Sequence, residues 1–172
     1  MIVVCLAELA DIPVFATIER SAVEAFRTTS HAWVADDPLT EAETYPPLIA
    51  TQSVWVAEHD GVPAGFVFAD VCEADFHILE LAVHLGLQRR GVGRALVNAV
   101  VRAAHERGCA AVTLTTFRDV AFNAPFYESL GFEILAAPPA RLAGILADET
   151  RSGLTKRCAM MARIREDSPF RR

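Results

Sequence analysis

The 172-residue chain lacks the marks of a membrane, secreted or nucleic-acid-binding protein. No apolar run reaches the roughly 18 residues that a bilayer crossing needs. The opening MIVVCLAELAD has neither a basic n-region nor a small-residue cleavage site. The expectation is a cytoplasmic protein with no membrane partner. Cysteine is sparse: Cys5, Cys72, Cys109 and Cys158 are dispersed with no Cys-x-x-Cys pair, which argues against a disulfide framework or a zinc site, so no metal is expected. A basic excess is missing too. With 22 acidic against 16 basic residues and a net charge of −6, phosphate backbones are repelled, and nucleic acid is not expected as a partner. Internal repeats and low-complexity tracts are absent, which excludes solenoids, propellers and long linkers.

What is present is the composition of one folded domain: 52% hydrophobic and 22% charged residues, with a mean hydropathy of +0.27. A single domain over 1–172 is expected, its tail frayed from Arg165. Strand-like and helix-like segments alternate. A short β-branched run, Ile2 to Leu6, precedes a helix predicted over 12–26, where Asp11 stands ahead of Pro13 and Phe15, Ile18, Ala22, Ala25 and Phe26 recur at helical spacing. From Arg27 to Thr51 the period fades, giving loop or short helix and a substrate-facing lid. Strand-like runs at 54–58 and 64–71 are joined across His59, Asp60, Gly61, Val62 and Pro63 as a hairpin, and a third strand is predicted over 76–83.

The clearest helix follows, because Val92, Ala95, Leu96, Ala99, Val100 and Ala103 repeat at i, i+3, i+4, i+7, i+8 and i+11. It stops near Gly108, and a β-branched strand runs over 111–117, so strand, helix and strand form a right-handed βαβ unit. A short helix at 124–130 ends at Gly131. Two last strands are predicted over 132–136 and 158–164, and 138–157 is read as irregular with one helical turn near Leu142 to Leu146.

Chemistry concentrates in Gln88, Arg89, Arg90, Gly91, Val92, Gly93, Arg94 and Ala95, a glycine-rich, basic turn at the mouth of that helix. Two glycines let backbone N–H groups approach a ligand, and a helix N-terminus adds roughly half a positive charge, so phosphate is the natural occupant. A Walker loop is excluded because Gly-Lys-Ser/Thr is missing. A dinucleotide-binding loop fits poorly, since seven residues separate Val83 from Gly91 and Leu96 stands where a third glycine belongs.

A strand ending in Val83, a short turn, and Gln88-x-x-Gly91-x-Gly93-x-Ala95 opening a helix resemble the acyl-CoA-binding motif of the GCN5-related N-acetyltransferases. The resemblance extends to Asn123-Ala124-Pro125-Phe126-Tyr127, then Leu130-Gly131-Phe132 entering a strand. It covers about 54–164, and 27–51 and 138–157 have no recognisable counterpart. It implies a mixed α/β, mostly antiparallel sheet flanked by helices, with a central βαβ unit and splayed parallel strands, and a bulge in the strand at 76–83. It also implies acetyl-CoA, or coenzyme A, as co-substrate and an amine as acceptor, expected to be a small molecule although peptide N-termini and lysine side chains use the same chemistry. A homodimer is the family's frequent form, and oligomeric state stays open here.

Residue by residue, the resemblance gives Leu81, Ala82 and Val83 to pantetheine. Main-chain N–H groups from Arg89 to Arg94 surround the pyrophosphate, beside Gln88 and Ala95, and the arginines reach the phosphates or form a solvated turn. Asn123 bonds cofactor or its neighbouring loop, or is an ordinary N-cap. Phe126 flanks the cofactor, and Tyr127 protonates the departing thiolate or anchors the core. An alkylammonium with a pKa near about 10.4 is neutral to only about one part in a thousand at pH 7, so a base is useful. Glu80 is the candidate, an acid inside an otherwise apolar strand, as base, as holder of the substrate ammonium, or as a sheet-edge carboxylate. His77 is the alternative base. Trp33 and Phe117, with Tyr45 and Trp55, are pocket-lining candidates that could equally be core. The rival reading is a non-catalytic acyl-CoA-binding module.

Overall fold

A computed structural model describes residues 1–164, so the expected frayed tail lies outside the described residues. Among the described residues are seven strands: β1 (Ile2–Leu6), β2 (Val54–His59), β3 (Val62–Cys72), β4 (Asp75–Val83), β5 (Ala111–Phe117), β6 (Glu133–Ile134) and β7 (Arg157–Arg163). Five α-helices accompany them: α1 (Ile12–Val23), α2 (Tyr45–Ala50), α3 (Val92–Glu106), α4 (Ala124–Glu128) and α5 (Ala140–Arg151). Hydrogen bonding orders the strands β1-β2-β3-β4-β5-β7-β6. β4 and β5 pair in parallel; β1 with β2, β2 with β3, β5 with β7 and β7 with β6 pair antiparallel. This is the mixed, mostly antiparallel sheet with flanking helices that the sequence implied. No helix among the described residues is long and apolar enough to cross a membrane.

The chain divides into two compact units, Met1–Asp70 with Ile78–Ala103, and Val71–His77 with the chain from Ala104 onward. In the first, the β2–β3 hairpin turns on Asp60 and Gly61, both at positive φ (53° and 78°), as a two-residue turn of matching twist requires. Alternation along the strands then sorts side chains. Val54, Val56, Phe66 and Phe68 face a core completed by Phe15 and Ile18 of α1 and Tyr45 of α2. Phe15 lies 4.7 Å from Phe66 and 4.9 Å from Tyr45, centroid to centroid. Burying each such ring contributes roughly 1.5–3 kcal/mol. Gly65 faces the other way: a Cβ there would stand 2.7 Å from the Ala82 carbonyl oxygen and 3.1 Å from side chains of Val92 and Leu96. Only glycine lets α3 and β4 come this close.

In the second unit β4 meets β5 over three residue pairs, Asp75 to Ala111, Phe76 to Val112 and His77 to Thr113. α5 packs on β7 and β5 with Leu142 fully buried. Its last turn is fixed by Glu149, whose carboxylate accepts two hydrogen bonds from Arg157 at 2.9 and 3.0 Å. A 12-residue helix thus stands where the sequence reading expected irregular chain with one turn. The expected helix over 12–26 is shorter, since Glu24–Thr28 tightens into a 3-10 turn. The segment expected as loop or short helix holds 3-10 turns at Ala32–Asp36 and Ala42–Thr44 and the six-residue α2.

Candidate functional site

The turn between β4 and α3 is built by its own polar groups. His84 accepts at Nδ1 from the Gly86 N–H (3.3 Å), the Leu85 N–H donates to Ser21 Oγ of α1 (3.1 Å), and Gln88 Nε2 donates to the Val83 carbonyl (3.1 Å). The motif's first residue therefore closes the loop back on its strand. Arg89 and Gly91 adopt left-handed backbone, φ 57° and 90°, and the Ala95 N–H to Gly91 carbonyl bond of 3.0 Å starts the helix ladder. The nearest atom to a Cβ on Gly91 would be Ile2 Cδ1 at 3.5 Å, so backbone conformation rather than space requires glycine there.

Tight turns with left-handed residues gather N–H groups into an anion-binding concavity, and the first turn of a 15-residue helix adds donors without intrahelical partners. Arg89, Arg90, Gly91 and Arg94 are exposed, Gly93 is half-buried and Val92 is buried beneath them. Arg90 acts on the Asp60 carboxylate through its charge, and among the described residues Arg89 and Arg94 are in no salt bridge. Exposed cations and a left-handed turn at a helix start fit a diphosphate. Leu81 and Val83 are half-buried and Ala82 is buried.

On β4 of the same unit, Glu80 is half-buried and accepts from the Thr40 hydroxyl at 2.7 Å. Glu19, buried on α1, accepts from the Thr40 N–H at 3.0 Å and lies 3.3 Å from the same hydroxyl. Burial, then the charge of Glu19, pushes the Glu80 carboxyl up from 4.5 to about 7, against the Thr40 hydrogen bond that favours the charged form. Tyr45 is buried, and burial followed by the charges of Glu80 and Glu19 raises its phenol above its ordinary value. Trp33 is exposed and Trp55 is buried.

Sequence reasoning missed Glu19 and Thr40. A signal existed for the first: Glu19 follows Ile18 and stands four residues after Phe15, on the stripe that α1 buries. For Thr40, in an irregular segment, the sequence carried no signal.

The second unit carries the other predicted residues. Tyr127 of α4 is buried, its ring edge-on to Phe126 (5.1 Å) and Phe132 (5.5 Å). Asn123 precedes α4, but its side chain does not cap the helix: Nδ2 donates to Thr116 Oγ1 at 2.8 Å, and Oδ1 is buried without a partner. The N-cap alternative is thereby replaced by a tie to β5. Phe117 is buried under the Arg157 guanidinium, 4.6 Å from its ring centre. His77 is buried with Nδ1 2.9 Å from Thr113 Oγ1, and burial, then the nearby Arg141 charge, pushes it down to about 4. It is held neutral at pH 7 and is too weak a base to serve an ammonium well. Beside it Arg141 contacts Thr113 (3.2 Å) and Asp75 (3.4 Å).

Residues 50–134 match the family model of an acetyltransferase (GNAT) domain. Among solved structures, the chain is similar to the PaiA N-acetyltransferase of Thermoplasma acidophilum in complex with coenzyme A, at 13% identity and a TM-score of 0.73, covering 95% of this chain and 99% of that one. The ribosomal-protein-S18-alanine N-acetyltransferase of Escherichia coli is similar at 22% identity and a TM-score of 0.69, over 98% and 97%. So is YncA, a putative acetyltransferase of Salmonella typhimurium solved with its cofactor acetyl-CoA, at 18% and 0.69, over 98% and 96%.

Proposed function

The chain belongs to the GCN5-related N-acetyltransferase (GNAT) family, and we propose that it transfers an acetyl group from acetyl-CoA to the primary amine of a small-molecule acceptor by direct attack in a ternary complex. The observation that carries this is the left-handed turn at Arg89 and Gly91 opening α3, with Arg89, Arg90 and Arg94 exposed beside it. In this reading the loop's N–H groups and arginines hold the diphosphate of coenzyme A. Backbone groups of Leu81 to Val83 align its pantetheine arm. The co-substrate supplies an activated thioester.

Glu80 accepts a proton from the acceptor's ammonium. The freed nitrogen lone pair forms the amide bond, the carbon–sulfur bond breaks, Tyr127 gives the departing sulfur its proton, and the second proton leaving the nitrogen restores the Tyr127 phenol. A carboxyl near about 7 is a suitable base at neutral pH, because both of its protonation states are populated. The whole chain is read as one acyltransferase domain working in the cytoplasm.

The test is calorimetric titration with acetyl-CoA and coenzyme A, followed by thiol release over an amine panel. Binding of both and amine-dependent thiol release are expected. Tyr127→Phe should lower kcat by roughly 100-fold or more while leaving coenzyme A affinity within about twofold. Tight binding with no turnover on any amine would make the chain a binding module instead, and no binding at all would end the reading. Melting temperature should rise with coenzyme A and not with NAD(P).

A further inference from the structure

β1 is an end strand of the sheet, bonded to β2 on one side only. Two backbone bonds fix its phase: the Ala7 N–H donates to the Val54 carbonyl and the Asp60 N–H to the Met1 carbonyl, both at 2.9 Å. In an antiparallel ladder, residues that bond their neighbour alternate with residues that do not, so Val3 and Cys5 also turn their backbone groups toward β2. Ile2, Val4 and Leu6 direct N–H and C=O outward, and among the described residues no strand pairs with that edge.

Sheet edges are ordinarily blunted by a charge, a proline, a bulge or brevity. At the opposite end of the strand order β6 is two residues long. β1 has five residues, IVVCL, with no charge and no proline, and its register with β2 runs without a shift. Its side chains are bare as well: Val3 is 46% exposed, Leu6 is 42% exposed and Cys5 is exposed. An apolar strand with outward backbone groups is a template for another strand.

Charge decides which strand fits. The C-terminal end of β1 is acidic, since Glu8 follows it closely and its N–H donates to Asp11 Oδ2 at 2.8 Å. Among the described residues neither acid is in a salt bridge. The N-terminal end adjoins the basic turn: Ile2 Cδ1 would lie 3.5 Å from a Cβ on Gly91, and the Arg90 charge acts on Asp60, whose N–H holds Met1. Arg89 and Arg90 against Asp60 leave that end positive. A complementary strand is therefore apolar along its length, acidic at one end, basic at the other, and antiparallel, so that opposite charges meet. β1 of a second copy is such a strand.

We infer that two copies of this chain join edge to edge through antiparallel pairing of β1, about a twofold axis at Val4. Ile2 then faces Leu6 of the second copy, Val3 faces Cys5, and Val4 faces its own counterpart, as a self-complementary interface requires. Ile2, Val4 and Leu6 each donate one N–H and accept one through the carbonyl. Glu8 and Asp11 of each copy come to the end where Arg89 and Arg90 of the other stand. The inference does not depend on the acetyl-transfer reading.

The test begins with sedimentation equilibrium of the full chain, in which the mass should rise from one chain toward two between about 1 and 100 μM. Val4→Pro removes an outward donor and breaks no bond to β2, so it should keep a melting temperature near the parent's while raising the dimer Kd roughly tenfold or more. Glu8→Lys reduces the net charge of each copy but sets a cation against the arginines, and should still weaken association by roughly threefold or more. Register is read by cross-linking in a Cys5→Ser background. Val4→Cys brings two thiols to the symmetric pair, with Cα atoms about 5.5 Å apart and within disulfide reach, so mild oxidation should link the dimer. Ile2→Cys, whose two copies lie about 13 Å apart along the ladder, should stay unlinked.

A single-chain mass at every concentration would overturn the inference. So would a dimer that Val4→Pro leaves intact or Glu8→Lys strengthens, or equal cross-linking from positions 2 and 4. Should Val4→Pro melt well below the parent, the cross-linking pair decides. None of these measurements reads catalysis, so loss of the pairing leaves acetyl transfer standing, and loss of acetyl transfer leaves the pairing standing.

Discussion

Replacing Glu80 by glutamine is expected to abolish most activity and at the same time to stabilise the fold above neutral pH. The carboxyl is pushed up to about 7 by burial and then by the charge of Glu19, from an ordinary value of 4.5 that the unfolded chain retains. Below 4.5 the group is protonated in both states and imposes no penalty. Between 4.5 and about 7 the fold holds a proton that the unfolded chain releases, so stability falls as pH rises, and above about 7 the loss is complete. At about 1.4 kcal/mol per pH unit, that interval corresponds to a penalty of about 3 kcal/mol, an upper bound because the site is not fully buried. Glutamine is neutral throughout and can donate to Glu19.

Melting curves of the two proteins should therefore coincide near about pH 4 and diverge near about pH 8, the variant higher by at most about 6–12 °C at 2–4 °C per kcal/mol for a domain of this size. In parallel, thiol release by the parent should rise with pH through about 7, as Glu80 ionises. The variant should lose roughly 100-fold or more in kcat/KM together with that inflection. A variant less stable than the parent at about pH 8, or a stability difference that does not shrink on acidification, would refute the reasoning.

Gly65→Ala should destabilise by about 1–3 kcal/mol, because the new methyl meets a backbone carbonyl that cannot rotate away. Denaturant midpoints check this, and full rescue by Leu96→Val would show that the side-chain contact, not the Ala82 carbonyl, dominates. His77 reports acid sensitivity of opposite sign to Glu80. Burial and Arg141 push it down to about 4 from 6.5, so its contribution is lost as pH falls from about 6.5 toward 4, and His77→Gln should flatten that part of the stability profile. Replacing Arg89 and Arg90 together by glutamine should weaken acetyl-CoA binding and reduce its dependence on ionic strength, read by titration at low and high salt, while melting temperature stays near that of the parent.

The elements legible in the sequence are those whose signal is local. α3 carries its own apolar stripe from Val92 to Ala103, β5 its β-branched run, and the β2–β3 hairpin its Asp60-Gly61 pair. The turn from Gln88 to Ala95 was readable for the same reason: its glycines and the helix start lie within eight residues, and the structure has a left-handed turn opening α3 there. α5 escaped notice because Gly144 interrupts it, Pro139 offers no capping side chain, and its stability comes from burying Leu142 and from the Glu149 to Arg157 pair reaching into β7. Tertiary packing outweighs weak propensity there.

The sequence by itself determined most of the strands and helices, the βαβ unit and the glycine-rich motif on which the proposed diphosphate site rests, since each depends on neighbours a few residues apart. Glu80 could be named as an acid out of place and a candidate base, but its shift toward about 7 could not be read from the chain. Only the tertiary structure decided that two carboxylates, Glu19 and Glu80, share one threonine and that their charges act on the buried Tyr45 phenol. Electrostatics and burial act through space, and chain distance carries no record of them.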